Sequence, residues 1–314
     1  MRFSALLMCS LLLISSLACK RETRKTIGVI AQGRSHLFWQ SVHAGAAAAA
    51  RDNNLDIIWN APASETDYAG QLQIVNTMIT RRVDAIALSP IDKTAMVGVV
   101  DRAAREGIPV IIFDTGVDTQ SYVSRVATDN YAAGRLAGKR MHEILGGKGT
   151  VIIVACQPGA ASTLAREQGF EDELRENSPG MRILDKRFGM SDFAKSLAVA
   201  ENMLTAHPDV QGLFASNETS TVGAAQALKA RGGKVKLVGF DWSPTLLADL
   251  EAGQIDSLVA QHPWKMGYES VVLAVRKLRG ETPPKDNPLP ARLVTRANMN
   301  EPEIHAQLHP KLEF

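Results

Sequence analysis

From residue 26 onward, short apolar runs bounded by turn residues alternate with stretches of helical periodicity, and the alternation runs through the chain twice. Thr26-Ile-Gly-Val-Ile-Ala, Leu55-Asp-Ile-Ile-Trp, Ala85-Ile-Ala-Leu and Val110-Ile-Ile-Phe read as strands, with helices over 39–51, 68–80 and 94–106 between them. The pattern then restarts, with strands over 151–156, 182–188, 212–216, 236–241 and 257–261 and helices over 162–176, 193–206, 219–231, 244–252 and 263–279. Alternation of this kind gives βαβ units on a parallel sheet. Two runs of units are too many for one small sheet, so the expected fold is α/β, with two doubly wound parallel-sheet lobes. The length, 314 residues, suits two domains.

The N-terminus has a separate character. Met1-Arg2 carries one positive charge, and the stretch 6–17 is apolar apart from three serines, too short for a membrane span of about 20 residues. It reads as an export leader. Leu17-Ala18-Cys19 resembles a bacterial lipobox, in which a small residue precedes the cysteine that receives lipid. The expectation is a signal peptide over 1–18 and a lipidated tether over 19–25, placing the protein in the periplasm or otherwise outside the cytoplasm, held to a membrane by Cys19.

Charge and cysteine content narrow the function classes. The formal net charge is +2, with 35 basic and 33 acidic residues and no long like-charged block, so a nucleic-acid footprint is not expected. Cys9 and Cys19 belong to the leader. Cys156 is then alone in the body and reads as a core cysteine at a strand end.

Ligands of doubly wound sheets bind beyond the carboxyl ends of the strands. With two lobes face to face, those ends line one cleft. The residues found there are Phe38 and Trp39 after the first strand, Asp114 after the fourth, and Arg166 beyond the loop that follows the 151–156 strand. Phe193 precedes a helix, Asn217, Asp241 and Gln261 end strands, and Trp242 follows Asp241. This inventory suits a polyol. Asp only accepts hydrogen bonds, Arg only donates, and Asn and Gln do both, so together they can saturate a ring of hydroxyls. Aromatic faces cover the apolar side of a sugar ring.

The strand-end motifs also carry a resemblance. Phe38-Trp39, Val110-Ile-Ile-Phe-Asp114, Ala127-Thr128-Asp129-Asn130, Arg166-x-x-Gly169-Phe170, Phe214-Ala-Ser-Asn217-Glu, Val238-Gly-Phe-Asp241 and Val259-Ala-Gln261-x-Pro263 occur in order. With them the chain resembles the ribose/galactose-type periplasmic sugar-binding proteins, which share their fold with the effector domains of lac-repressor-like regulators. The resemblance implies that Phe38 and Trp39 flank a sugar ring, that Asp114, Arg166, Asn217, Asp241 and Gln261 bond its hydroxyls, and that Phe193 closes the cleft. His36 falls where the ribose binders present an amide. Two departures weigh against ribose itself: Thr115 stands where those binders have arginine, and Trp242 where the family often has a small residue. The resemblance also implies a hinge crossed three times, near Thr128, Gln261 and Pro288. The N-terminal lobe would then be 26–128 plus 262–288, and the C-terminal lobe 129–261 plus 289–314.

The implied function is the solute-binding component of an ABC sugar importer. It would close on a monosaccharide or related polyol as a monomer, without cofactor or metal, and dock on a membrane permease. The alternative is a sensor delivering bound sugar to a receptor kinase or chemoreceptor. No phosphate-binding loop, Cys-x-x-Cys, His-Glu-x-x-His or Gly-x-Ser-x-Gly motif occurs. His305 and His309 read as a solvated tail, and residues 298–314 as surface. Asp114 and Asp241 could in principle form a glycosidase pair. The neighbouring arginine and amides are expected to keep both ionised, which suits accepting hydroxyls better than donating protons.

Overall fold

The computed structural model describes residues 24–229 and 231–314. The leader, including Cys9 and Cys19, lies outside the described residues. The chain begins with β1 (Thr26–Ile30), α1 (Leu37–Asp52), β2 (Asp56–Asn60), α2 (Tyr68–Thr80), β3 (Ala85–Leu88), α3 (Val97–Arg105), β4 (Val110–Phe113) and β5 (Ser124–Thr128). It continues with α4 (Asn130–Leu145), β6 (Lys148–Ala155), α5 (Ala161–Asn177), β7 (Gly180–Phe188), α6 (Phe193–Ala206), β8 (Gly212–Ala215), α7 (Glu218–Lys229) and β9 (Lys236–Phe240). It ends with α8 (Pro244–Glu251), β10 (Ser257–Ala260), α9 (Pro263–Leu278), β11 (Asp286–Leu289), β12 (Arg292–Thr295) and α10 (Pro302–Leu308).

Two six-stranded sheets result, in the orders β11-β5-β4-β3-β1-β2 and β12-β10-β9-β8-β6-β7. Pairing is parallel except between β10 and β12. The chain passes from the first sheet to the second after β5, back after β10, and over again after β11. Strands β3, β4, β8 and β10 are buried along their whole length, as parallel strands covered by helices on both faces must be. One face of the first sheet packs Ile27, Val29, Ile111 and Phe113 with α1 and α9, and the other packs Ile30, Ile86 and Leu88 with α2 and α3. The second sheet is covered in the same way, by α4 and α5 on one face and α6, α7 and α8 on the other.

Side-chain caps start many of the helices. Asp67, Asp129, Asp192 and Ser243 each accept from a backbone N–H in the first turn of their helix. The C-terminal segment departs from the surface tail anticipated for it. Ile304 and Leu308 of α10 are buried in the core of the second lobe, because they are spaced to present one apolar face to it. His305 and His309 stay exposed, with their rings stacked.

Two pairs of helices approach so closely that only glycine fits between them. A Cβ on Gly45 of α1 would overlap the Trp264 carbonyl of α9, and one on Gly267 would overlap that of Val42. In the second lobe, Gly134 of α4 faces the backbone carbonyl of Arg166, and Gly169 of α5 that of Tyr131. The α4–α5 contact therefore fixes where the Arg166 side chain starts. Gly98 of α3, by contrast, faces open space. Gly134→Ala is expected to lower stability by about 1–3 kcal/mol through overpacking, whereas Gly98→Ala should raise it by roughly 0.5–1 kcal/mol through helix propensity. Urea unfolding midpoints of the two variants check both signs.

Candidate functional site

Asp114 and Asp241 occupy equivalent places in the two lobes. Asp114 follows β4 and Asp241 follows β9, and each has a left-handed backbone, at φ 66° and 65°. Aspartate tolerates this conformation better than most residues. Each donates its backbone N–H to the adjacent strand, Asp114 to the Val126 carbonyl and Asp241 to that of Val259, both at 2.9 Å. The chain thus turns sharply at the strand end and sends both carboxylates into the space between the sheets.

Around that space lie Gln32, His36, Phe38, Trp39, Glu65 and Asp114 from the first lobe, and Cys156, Ser162, Thr163, Arg166, Asn217, Glu218 and Asp241 from the second, with Gln261 at the crossing. They enclose about 420 Å³, counting the open mouth.

Each polar group is held by a defined partner. The Arg166 guanidinium donates from Nε to Asn130 Oδ1 at 2.8 Å and from Nη1 to the Ser216 carbonyl at 3.0 Å. It lies 4.0 Å over the Phe240 ring and 3.9 Å from Asp241 Oδ2. Gln261 donates to Asp241 Oδ1 at 2.8 Å and accepts from the Thr128 hydroxyl at 2.7 Å, tying two crossings to the site. Ser89 donates to Asp114 Oδ2 at 3.1 Å. Asn217 caps α7 by accepting from Ser220 N–H, while its amide nitrogen faces the cleft side. Capping and a place in the cleft therefore coincide in one residue. His36 sits at the N-cap of α1 but makes no cap bond; its Nδ1 lies 2.7 Å from Glu65 Oε1.

The electrostatics correct one expectation. Four carboxylates, Glu65, Asp114, Glu218 and Asp241, face two cationic groups, Arg166 and His36. Burial pushes Asp114 up to about 7; Arg166 and Ser89 oppose this, and Asp241 and Glu65 add to it. Burial likewise raises Glu218 to about 7 and raises Asp241. The expectation that arginine and amides would hold both aspartates in the ordinary ionised range fails, because desolvation outweighs a single guanidinium. Burial would lower His36, but its hydrogen bond and charge interaction with Glu65 overcome this and raise it to about 9. Burial would raise Glu65, yet it stays below the usual carboxylate range because His36, Ser191 and Trp39 all bond it. Burial pushes the Cys156 thiol well up, consistent with a core cysteine.

With this geometry, the chain matches a periplasmic binding protein domain across residues 27–282. It belongs to that family. This binding protein is 30% identical to a D-ribose/D-allose-binding protein of Pseudomonas aeruginosa, over 87% of this chain and 88% of the relative. It is 28% identical to the ribose import binding protein RbsB of Bacillus subtilis, over 86% and 87%. A carbohydrate transporter solute-binding protein from Agrobacterium radiobacter, solved in complex with D-arabinose, superposes with a TM-score of 0.89 at 32% identity, over 92% of this chain and 100% of that one.

Two residues singled out in the sequence do not line the cleft of this binding protein. Phe193 is 45% exposed at the start of α6. Met190 and Ser191 both adopt left-handed φ, which turns Ser191 inward and leaves Phe193 outside. Trp242 is 2% exposed and packs in the second lobe's core with Leu246 and Leu308. Its indole N–H donates to the Leu308 carbonyl at 2.9 Å. The turn at Asp241 sends the carboxylate forward and the next side chain back under α10. Glu65 and Glu218 were missed. Glu218 directly follows Asn217, and Glu65 lies in the loop after β2, which is at the edge of its sheet and carries no motif.

Protonation gives the cleft a pH signature. Asp114 and Glu218 keep protons in the folded protein between about 4 and 7 that the unfolded chain has released, so stability falls as pH rises through that window. His36 stays protonated up to about 9 in the folded state against 6.5 unfolded, so its contribution is present below 6.5 and lost as pH rises to 9. Thermal unfolding of the protein alone should show a midpoint that declines from pH 5 to pH 9, and His36→Gln should flatten the part above 6.5. An unchanged slope in that variant would contradict the assignment.

Proposed function

We propose that this chain is the extracytoplasmic solute-binding component of an ABC sugar importer, closing on a monosaccharide or related polyol and presenting it to a membrane permease. The single observation that carries this reading is the convergence of Asp114 and Asp241, from equivalent strand ends of facing lobes, on one cavity with Arg166, Asn217 and Gln261. Acceptors, a donor and amides from both lobes meet the same small polar solute, so the solute favours the closed arrangement by the contacts it makes only there. Relatives named for ribose and allose, and a similar structure holding D-arabinose, support a monosaccharide. The chain is a binding protein and not an enzyme, in keeping with its family. The lobes we propose to move are 26–128 with 262–288 and 129–261 with 289–314, and the contacts we assign to the ligand come from His36, Phe38, Trp39, Asp114, Arg166, Asn217, Asp241 and Gln261.

The protein resides outside the cytoplasm, as its family does. We further propose attachment to a membrane by lipid on Cys19, on the strength of Leu17-Ala18-Cys19 ending an apolar leader. Cys19→Ser should move the protein from the membrane fraction to the soluble fraction.

Isothermal titration against ribose, allose, arabinose, fucose, tagatose and a set of polyols tests the ligand class. Binding by at least one is expected, and silence across the panel would sink the sugar reading. For the sugar that binds, Asp241→Asn should weaken affinity about 10- to 100-fold, the size of a lost charge-assisted hydrogen bond. Sugar hydroxyls donating to Asp114 favour its ionised form. Titration near pH 6 in two buffers of different ionisation enthalpy should therefore reveal proton release on binding, and proton uptake would contradict it.

A further inference from the structure

Glu65 differs from the other carboxylates of the cleft in that the protein itself nearly saturates it. A carboxylate has about four lone-pair positions. Oε1 accepts from Trp39 Nε1 at 2.5 Å and faces His36 Nδ1 at 2.7 Å, while Oε2 accepts from Ser191 Oγ at 2.5 Å. Its backbone carbonyl also accepts from Gln157 Nε2 at 2.9 Å. Asp114 and Asp241, by comparison, each have a single side-chain hydrogen bond within 3.5 Å and keep an oxygen for a ligand.

The partners of Glu65 come from both lobes. His36 precedes α1 and Trp39 lies in its first turn, both in the first lobe, whereas Ser191 and Gln157 follow β7 and β6 in the second. Ser191 Oγ in turn accepts from Asn217 Nδ2 at 3.1 Å. One line of hydrogen bonds thus runs from the His36–Trp39 shelf through Glu65 to Ser191 and Asn217, across the cleft. The left-handed turn at Met190 and Ser191 aims the serine into this line. When the lobes part, the bonds to Ser191 and Gln157 must break, while those to His36 and Trp39 stay within one lobe. Uncharged links cross the same gap: Thr115 accepts from Ser162 N–H at 3.1 Å, and Lys93 N–H donates to the Gly159 carbonyl at 3.1 Å.

We infer that Glu65 is the positioning residue of the cleft: it clasps the second lobe through Ser191 and Gln157, holds His36 and Trp39 against the ligand space, and sets how readily the lobes close and not which sugar is chosen. The ligand arm of this inference rests on the proposed sugar binding; the closure arm does not. Charge-assisted bonds in a desolvated site are worth more than neutral ones, so Glu65 outweighs the Thr115 link in favouring closure.

The test uses Glu65→Ala, Glu65→Gln and Ser191→Ala in the full mature chain, with two readouts. Small-angle scattering of protein without added sugar should show a larger radius of gyration for Glu65→Ala and Ser191→Ala than for the wild type. Titration with the sugars that bind should show all of them weakened by a common factor, about 10-fold or more for Glu65→Ala, with their ranking unchanged. Glu65→Gln keeps an acceptor for Trp39 and a donor or acceptor for Ser191, so it should recover part of the affinity. In that variant the alkaline fall of the thermal-unfolding midpoint should begin nearer the ordinary histidine range, because His36 has lost its anion. Adding Ser191→Ala to Glu65→Ala should cost little more, since both remove one bond. A changed sugar ranking in Glu65→Ala would overturn the inference by making Glu65 a ligand contact, and so would unchanged scattering and affinity. If the wild type binds no sugar, the sugar reading fails and scattering alone decides the clasp. Should Glu65→Ala fail to fold, Glu65→Gln and Ser191→Ala carry the same comparison.

Discussion

A carboxylate taken out of water must be given donors, a cation or a proton, and the cleft is organised by that requirement. Four such groups meet between the lobes. Glu65 receives His36, Trp39 and Ser191 and stays charged. Asp241 receives Gln261 and the field of Arg166. Asp114 and Glu218 receive least and drift toward protonation near neutral pH. The distribution of donors therefore sorts the acids by task. The saturated one can serve the protein, and the under-supplied ones can serve a solute that brings donors of its own, as a ring of hydroxyls does.

That division depends on the chain passing repeatedly between two similar sheets. Because β4 and β9 end in the same left-handed turn, with the same bond to the neighbouring strand, the two lobes present matching carboxylates to each other. Gln261 sits on a crossing and touches Thr128 on another, so closing the lobes and positioning Asp241 involve the same side chain. Gln307 of α10 holds the Gln261 carbonyl at 2.6 Å, which brings the C-terminal helix into the support of the hinge. A site built at a join of this kind can be rigid within each lobe and still open as a whole.

The βα alternation made the fold class legible, because strands buried on both faces leave unbroken apolar runs that no polar periodicity obscures. Residues at the ends of central strands were legible for the same reason, and Asp114, Arg166, Asn217, Asp241 and Gln261 do meet in space. What escaped depends on local backbone direction, which composition does not display. Phe193 points outward because two residues before it turn left-handed, and Trp242 points into the core because Asp241 does. Glu65 was hidden by its place after an edge strand, and its partner Ser191 has no motif at all. The raised acids are not legible in the sequence, because neighbouring donors are visible there whereas depth of burial is not.

Thr115 links these observations. The resembled ribose binders carry arginine where this chain has threonine, and here the threonine hydroxyl accepts a backbone N–H from Ser162 across the cleft. A guanidinium beside Asp114 would have lowered its pKa and neutralised part of the acid excess. With a hydroxyl there instead, one attractive charge is absent and a modest interlobe bond takes its place. Arg166 remains as the cation nearest both aspartates, and His36 is committed to Glu65. The balance must then be met by protons or by the solute. A ligand that donates strongly to Asp114 gains more here than in a site already neutralised by a second arginine, because it also releases the desolvated acid from its need for a proton.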